Sequence, residues 1–135
     1  MSDWNSNIIE EFRENEGQLG GTFEGWNMLL LHHAGAKTGT QRVNPLTYQP
    51  VGDSLAIFAS KAGDPRNPDW FHNLVANPDT KVEIGTDTIA VTARVAADDE
   101  RDKIWTKQKE LRSQFADYEV SAAGRKIPVI ILERR

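Results

Sequence analysis

The chain contains no cysteine. That removes disulfides, a thiol nucleophile and cysteine-ligated metals from consideration. It also lacks a long apolar run: the longest, Leu55 to Ala59, is far too short to cross a bilayer. Met1 leads into polar and acidic residues, not a cationic and then apolar stretch, so no signal peptide is expected. There is no basic excess either. The net charge is −4, with the surplus in the first sixteen residues, where Asp3, Glu10, Glu11, Glu14 and Glu16 face only Arg13. A nucleic-acid binder would normally carry a broad basic face, so no nucleic-acid partner is expected. No repeat and no low-complexity tract interrupts the 135 residues, a length that suits one domain with a real core. The expected location is cytoplasmic, or peripheral at a membrane surface without stable insertion. The acidic N-terminal segment lacks the Lys and Arg that anionic lipids select.

What is present alternates between strand and helix signals. Asn5 or Ser6 can cap a short helix to about Asn15, with Ile8, Ile9 and Phe12 on one side. Gly17, Gly20, Gly21 and Gly25 then form a connector. Strands are predicted over Asn27–Ala34, Gln41–Gln49 and Ser54–Ser60, separated by turns at Gly35–Gly39 and Gly52-Asp53. Pro45 cannot donate to a ladder and argues for an edge or a bulge. Asn67-Pro68 reads as N-cap and first helical residue of a helix that Asn77-Pro78 stops. Strands Lys81–Ile84 and Thr88–Ala96 follow, turning at Gly85–Asp87. A long helix from Asp98 to about Ser113 has acids at its start and Lys107, Lys109 and Arg112 near its end, which suits the dipole. Ile104, Leu111 and Phe115 should face a core, and Tyr118 should lie in a loop beyond. A last, nearly all-apolar strand, Ile127–Glu133, should be central.

Short turns make the early strand pairs antiparallel. No strand runs through a glycine fingerprint into a crossover helix, which argues against a dinucleotide-binding parallel sheet. The expected fold class is α+β: six mostly antiparallel strands in a small, partly open β-barrel, with inserted helices and a short N-terminal helix.

Two glycine turns carry paired cations in this acidic chain. Lys37 and Arg42 flank Gly35 and Gly39, which permit positive φ and expose backbone N–H groups, and Thr38 adds a hydroxyl. Gly35-x-Lys37-Thr38-Gly39 is not a Walker A loop, because it lacks the four-residue spacer and does not open a helix. Lys61 and Arg66 surround Gly63 just before the helix at Asn67, where free N–H groups favour an anion, although Asp64 and Asp69 oppose one. Solvated charges on ordinary turns are the plainer reading of each pair. Together they describe a pocket for a phosphorylated or carboxylated ligand.

Other candidates stay open at this level. Ser60 has no nucleophile elbow around it, so it is either a hydrogen-bond donor to a ligand or a plain strand-end serine. One of Trp70 and Phe71 should pack in the core, and the other could wall a flat aromatic ligand. Tyr118 is either a packing tether or a phenol that reaches substrate. His32 and His33 are adjacent on a strand and should point to opposite faces, so they cannot readily share a metal, and His72 stands alone. No metal is expected.

The order of these motifs resembles the deazaflavin-dependent nitroreductase family. The resemblance runs through Asn15-x-Gly17, Gly20 to Gly25, Ala36-Lys37-Thr38-Gly39-x-x-Arg42-Val43-Asn44-Pro45-Leu46 and Ala59-Ser60-Lys61-x-Gly63. It continues through Asn67-Pro68-x-Trp70-x-x-Asn73-Leu74-x-Ala76-Asn77-Pro78, Asp98 to Arg101, and Ile127-Pro128-Val129. It covers essentially the whole chain. It implies a split β-barrel that binds coenzyme F420, an 8-hydroxy-5-deazaflavin with a phospholactyl-oligoglutamate tail.

By resemblance, the cofactor is surrounded by Lys37, Thr38, Arg42, Val43, Asn44, Pro45, Leu46, Thr47, Phe58, Ala59, Ser60, Lys61, Asp69, Trp70, Phe71, His72 and Asn73. Lys37, Arg42 and Lys61 would hold the tail, with Pro45, Ser60 and Trp70 nearer the ring. Ser60 and Tyr118 match positions that donate hydrogen bonds to substrate. The implied reaction is hydride transfer from the reduced deazaflavin to a quinone, enone or nitro acceptor. The cofactor carries the hydride, so no acid–base dyad need stand out. The alternatives are a related split barrel using FMN, and a non-enzymatic protein that sequesters F420. A homodimer is expected only by analogy with other split barrels. Members that reduce nitroimidazoles carry several pocket tyrosines, where this chain has Thr47, Arg112 and Phe115 and retains only Tyr118. Ala36 replaces a cation beside the lysine. These departures count against nitroimidazole reduction and leave cofactor binding in place.

Overall fold

The computed structural model describes residues 2–20, 26–60, 67–121 and 126–135, with the side chains of residues 2–6 left aside. The second cationic turn, with Lys61, Gly63 and Arg66, lies outside the described residues. Within them the order is α1 (Ser2–Glu14), β1 (Met28–Ala34), β2 (Gln41–Thr47), β3 (Gln49–Val51), β4 (Ser54–Phe58) and α2 (Asp69–Ala76). It continues with β5 (Asp79–Ile84), β6 (Asp87–Val95), α3 (Asp98–Leu111), α4 (Gln114–Ser121) and β7 (Val129–Arg134). The strands form one sheet in the order β2-β1-β5-β6-β7-β4-β3, with every pair antiparallel.

The two outermost strands, β2 and β3, are separated in sequence by Tyr48 alone. A sheet whose opposite edges meet within one residue must curl round on itself, and this makes the partly open barrel. Six strands were expected from the sequence, and seven are found among the described residues. The difference is the predicted strand Gln41–Gln49. It breaks at Tyr48, where the chain leaves its pairing with β1 and begins pairing with β4. Pro45 and Pro50 sit one on each edge strand, where a missing N–H costs least.

Curling creates an inside and an outside, and strand alternation sorts side chains between them. Leu29, Leu31, Leu55, Ile57, Val82, Val91, Ile130 and Leu132 fill the interior. The intervening residues of β4 and β7, namely Ala56, Phe58, Val129 and Ile131, pack outward against Ile104, Trp105 and Phe115 of α3 and α4. Met28 and Leu30 of β1 pack outward with Phe12 of α1. Covered on both faces, these three strands read as continuous apolar runs, and β7 lies inside the sheet as expected.

The helices depart from expectation at their ends. α1 begins at Ser2, ahead of the expected cap at Asn5 or Ser6. α2 begins at Asp69, and its cap is Pro68 in extended conformation, with Asn67 one residue further out. α2 buries Trp70 and Leu74 among the interior residues. The long helix stops at Leu111, Arg112 is extended, and the segment expected as a loop around Tyr118 is helix α4. Leu111 is 54% exposed and does not face the core. The buried stripe of α3 is Arg101, Ile104, Trp105 and Gln108.

Gly17, with φ +90°, lets the chain pass close against the barrel as it leaves α1. A Cβ there would lie 2.8 Å from Cα of Gly85 in the β5–β6 turn, so the two backbones touch where no side chain fits.

Candidate functional site

β2, the first residues of α2 and helix α4 converge at one end of the barrel. The register sets what β2 offers there. His33 opposes Arg42 and Leu31 opposes Asn44, so Arg42, Asn44 and Leu46 share a face with the interior side of β1. They border a hollow of ≈ 550 Å³, within the range of small-molecule pockets. Its walls are aromatic and apolar: Trp26, Phe58, Trp70, Phe115 and Tyr118, with Pro45, Leu46 and Met28. Phe58 and Phe115 meet edge to face at 5.5 Å, and Phe115 and Tyr118 at 5.1 Å, so the wall is braced by its own rings. Trp26 is held from outside by the Arg112 guanidinium, 4.6 Å from its ring centre.

Polar groups line the hollow as well, among them His33, Arg42, Asn44 and Asp69. Ser60 and Thr47 line it, and the phenol of Tyr118 enters from α4. Gln114 Nε2 donates to Tyr118 Oη at 2.8 Å, so the phenol accepts there and keeps its own proton for another acceptor.

A second hollow of ≈ 420 Å³ is lined by Gly35, Ala36, Lys37, Thr38, Arg42, Asp69, His72 and Asn73. Arg42 and Asp69 line both, so the two hollows adjoin, and together they make up a site, here called the groove, with an aromatic end and a cationic end. The Gly35–Gly39 turn at the cationic end is self-supported. Gly39 donates to the Gly35 carbonyl at 2.8 Å, Gly35 donates to the Thr40 carbonyl at 2.9 Å, and Gly39 has φ +72°.

A hydrogen-bond chain joins the ends. The Ala36 backbone N–H donates to Asn73 Oδ1 at 2.9 Å, and Asn73 Nδ2 lies 3.0 Å from His33 Nδ1. His33 Nε2 lies 2.6 Å from Asn44 Oδ1. The Ala36 N–H can only donate, so it fixes the Asn73 amide and turns its NH2 toward His33. His33 Nδ1 must then accept, and its proton sits on Nε2, donating to Asn44 Oδ1. The ring is therefore neutral. Burial, the largest influence, holds its pKa below the usual imidazole value; the Asn44 bond opposes this, Arg42 adds to it, Asp69 opposes it and His32 adds to it. His32 points to the other face of β1, as expected, and meets Glu83 at 2.7 Å.

Of the residues singled out by sequence, the groove gathers Lys37, Thr38, Arg42, Asn44, Pro45, Leu46, Thr47, Phe58, Ser60, Asp69, Trp70, His72, Asn73 and Tyr118. Three lie elsewhere. Val43 packs outward against the α1 cluster, Ala59 is buried in the barrel interior, and Phe71 lines a separate hollow with Leu74 and Val75. Lys61 falls outside the described residues. Sequence reasoning did not assign His33, Trp26 or Gln114 to the site, while Phe115, which the resemblance put at a pocket position, lines it. His33 was within reach: the glycine turn sets the hairpin register, and that register puts it opposite Arg42.

Known proteins resemble this chain in sequence and in fold. A sequence model of the F420H(2)-dependent quinone reductase family matches residues 4–134. The chain belongs to that family. A Mycobacterium tuberculosis protein named as an F420H(2)-dependent quinone reductase is 40% identical over 128 residues, covering 92% of this chain and 85% of its own. A second, named as a putative member, is 40% identical over 107 residues, covering 79% of this chain and 89% of its own. Among solved structures, an F420-H2 dependent reductase superposes with TM-score 0.71 at 35% identity, covering 79% of this chain and 94% of that one. A chain described as a domain-swapped dimer superposes with TM-score 0.73 at 31% identity, covering 98% of both. The heme storage protein HutZ of Vibrio cholerae, at 14% identity and TM-score 0.60, shares the fold alone. Membership of the F420H(2)-dependent quinone reductase family makes the chain an oxidoreductase with coenzyme F420 as its cofactor. No helix among the described residues is long and apolar enough to cross a membrane.

Proposed function

We propose that the groove holds F420 with its ring in the aromatic hollow and its anionic tail along the Gly35–Gly39 turn, and that the reduced cofactor serves a quinone acceptor. The supporting observation is that the aromatic and the cationic hollow adjoin, with Arg42 and Asp69 lining both. A ligand with one flat apolar end and one polyanionic end matches that polarity, and neither hollow alone would suit it. Bound F420H2 supplies the hydride. Trp70, Pro45 and Leu46 offer apolar surface to the ring and exclude water from it. Lys37 and Arg42 offer charge-assisted hydrogen bonds to phosphate and carboxylate oxygens. Tyr118 and Ser60 offer hydrogen bonds to the acceptor oxygen as it gains charge.

The same reading takes residues 1–135 as one domain working in the cytoplasm as a homodimer, a state supported by the relative described as a domain-swapped dimer. Fluorescence titration with F420 tests the site. Lys37→Ala and Arg42→Ala should each weaken binding about tenfold, with the loss shrinking as salt is raised. Unchanged affinity in the double variant would sink the assignment of the tail.

A further inference from the structure

We propose that His33 is a positioning residue: as a neutral ring with its proton on Nε2, it fixes the Asn44 carboxamide so that Nδ2 is presented to the ligand as a donor. The direction follows from the hydrogen-bond chain. Asn44 Oδ1 is occupied by His33 at 2.6 Å, and Asn44 lines the aromatic hollow beside Arg42. No protein acceptor among the described residues takes its Nδ2. A carboxamide left to rotate would offer the ligand oxygen or nitrogen indifferently. With Oδ1 held, it offers only N–H, which suits a carbonyl or anionic oxygen.

The chain starts at the Ala36 N–H, in the turn that borders the cationic hollow. Its polarity is therefore common to both ends of the groove. A second proton on His33 would put a donor on Nδ1 against the Asn73 NH2. Asn73 would then have to flip, and the Ala36 N–H would lose its acceptor. One titration at a residue just 3% exposed would thus disturb the tail site and the ring site together. The charged and titratable groups facing this ring are Arg42 on β2 and Asp69 on α2, with His32 acting from the other face of β1 and Lys37 and His72 along the adjoining hollow. His33 is 3% exposed and touches the ligand through Asn44, so it acts on binding and not on the transferred hydride.

The inference rests on the F420 reading for its ligand, and two measurements separate them. In the apoprotein, imidazole nitrogen NMR should find His33 protonated on Nε2 alone at neutral pH. A dominant Nδ1–H form overturns the proposal whether or not F420 binds. F420 affinity is then followed by fluorescence between about pH 5 and pH 8 for the wild type, His33→Gln and His33→Leu. Glutamine can accept from Asn73 and donate to Asn44 but cannot titrate. It should stay within about threefold of the wild type at neutral pH. It should also lack the extra acid-side loss of the wild type, which separates His33 from any titration of the ligand itself. Leucine should bind about tenfold more weakly throughout. Leucine binding like the wild type, or glutamine no better than leucine, overturns the proposal. A wild type that binds no F420 would count against the functional reading, and the imidazole tautomer would still decide the role of His33.

Discussion

The direction of one hydrogen bond decides what Tyr118 can do. Its oxygen accepts from Gln114 Nε2 on the wall of the hollow, and its ring is set edge to face against Phe115, so the hydroxyl proton is left for a second acceptor. In the proposed function, a phenol placed this way would stabilise negative charge that develops on an acceptor oxygen and would contribute little to holding the cofactor. Tyr118→Phe preserves the ring contacts and removes only that donor. It should lower kcat for quinone reduction about tenfold to a hundredfold. F420 affinity should stay unchanged, as read by fluorescence. A variant that loses affinity and keeps its kcat would place Tyr118 on the cofactor instead. From its own position in the sequence this residue was legible only as a candidate; its role as a donor came from the family resemblance. The choice between tether and phenol depended on Gln114, one helical turn earlier, and so on a helix the sequence did not announce.

That helix belongs to a change in direction between α3 and α4. Ile104, Leu111 and Phe115 recur at helical spacing, and a single straight helix would have carried all three to the core. The chain breaks at Arg112, where Phe115 N–H bonds to the Arg112 carbonyl at 3.0 Å and begins α4. Phe115 is then buried from a new direction while Leu111 is left exposed. No glycine or proline marks the break, so the usual punctuation is missing. A buried and an exposed residue of α3, Trp105 and Leu111, should therefore differ sharply on truncation. Trp105 is 1% exposed, packs on Phe58 and Phe115, and donates Nε1 to Glu119 at 2.8 Å. Trp105→Ala should cost about 3–5 kcal/mol. Leu111→Ala should stay within about 0.5 kcal/mol in the same denaturation experiment. Equal losses would mean that the helix continues through Arg112. The hairpin of β1 and β2 was legible for the converse reason: a glycine turn flanked by period-2 strands fixes register locally. The break at Tyr48 was not, because a strand that changes partners keeps its extended pattern throughout.

For the molecule as a whole, α1 is fastened to the barrel by packing and by one ion cluster. Phe12 seals the outer face of β1, and Arg13 reaches Glu83 on β5 through Nε at 3.2 Å and Nη2 at 2.8 Å. His32 adds a bond to the same carboxylate from β1. Three segments distant in sequence thus meet on Glu83, which no local pattern could have revealed. The Arg13 bond is the largest influence on Glu83 and holds its pKa below the ordinary 4.5; burial opposes it and His32 assists it. A carboxylate with a depressed folded-state pKa binds fewer protons than its unfolded form in the interval between the two values. Its stabilisation is complete above about pH 4.5 and is lost as pH falls through the lower folded value. Thermal unfolding followed across that range should therefore show Tm declining on the acid side. Glu83→Gln should lower Tm at neutral pH, where the carboxylate is ionised, and flatten the acid decline, so that the two curves converge at low pH. Parallel curves would mean that α1 is held by its apolar face alone. Because Arg13 is half exposed, the neutral-pH difference should also shrink in high salt, which separates the ion pair from the packing of Phe12.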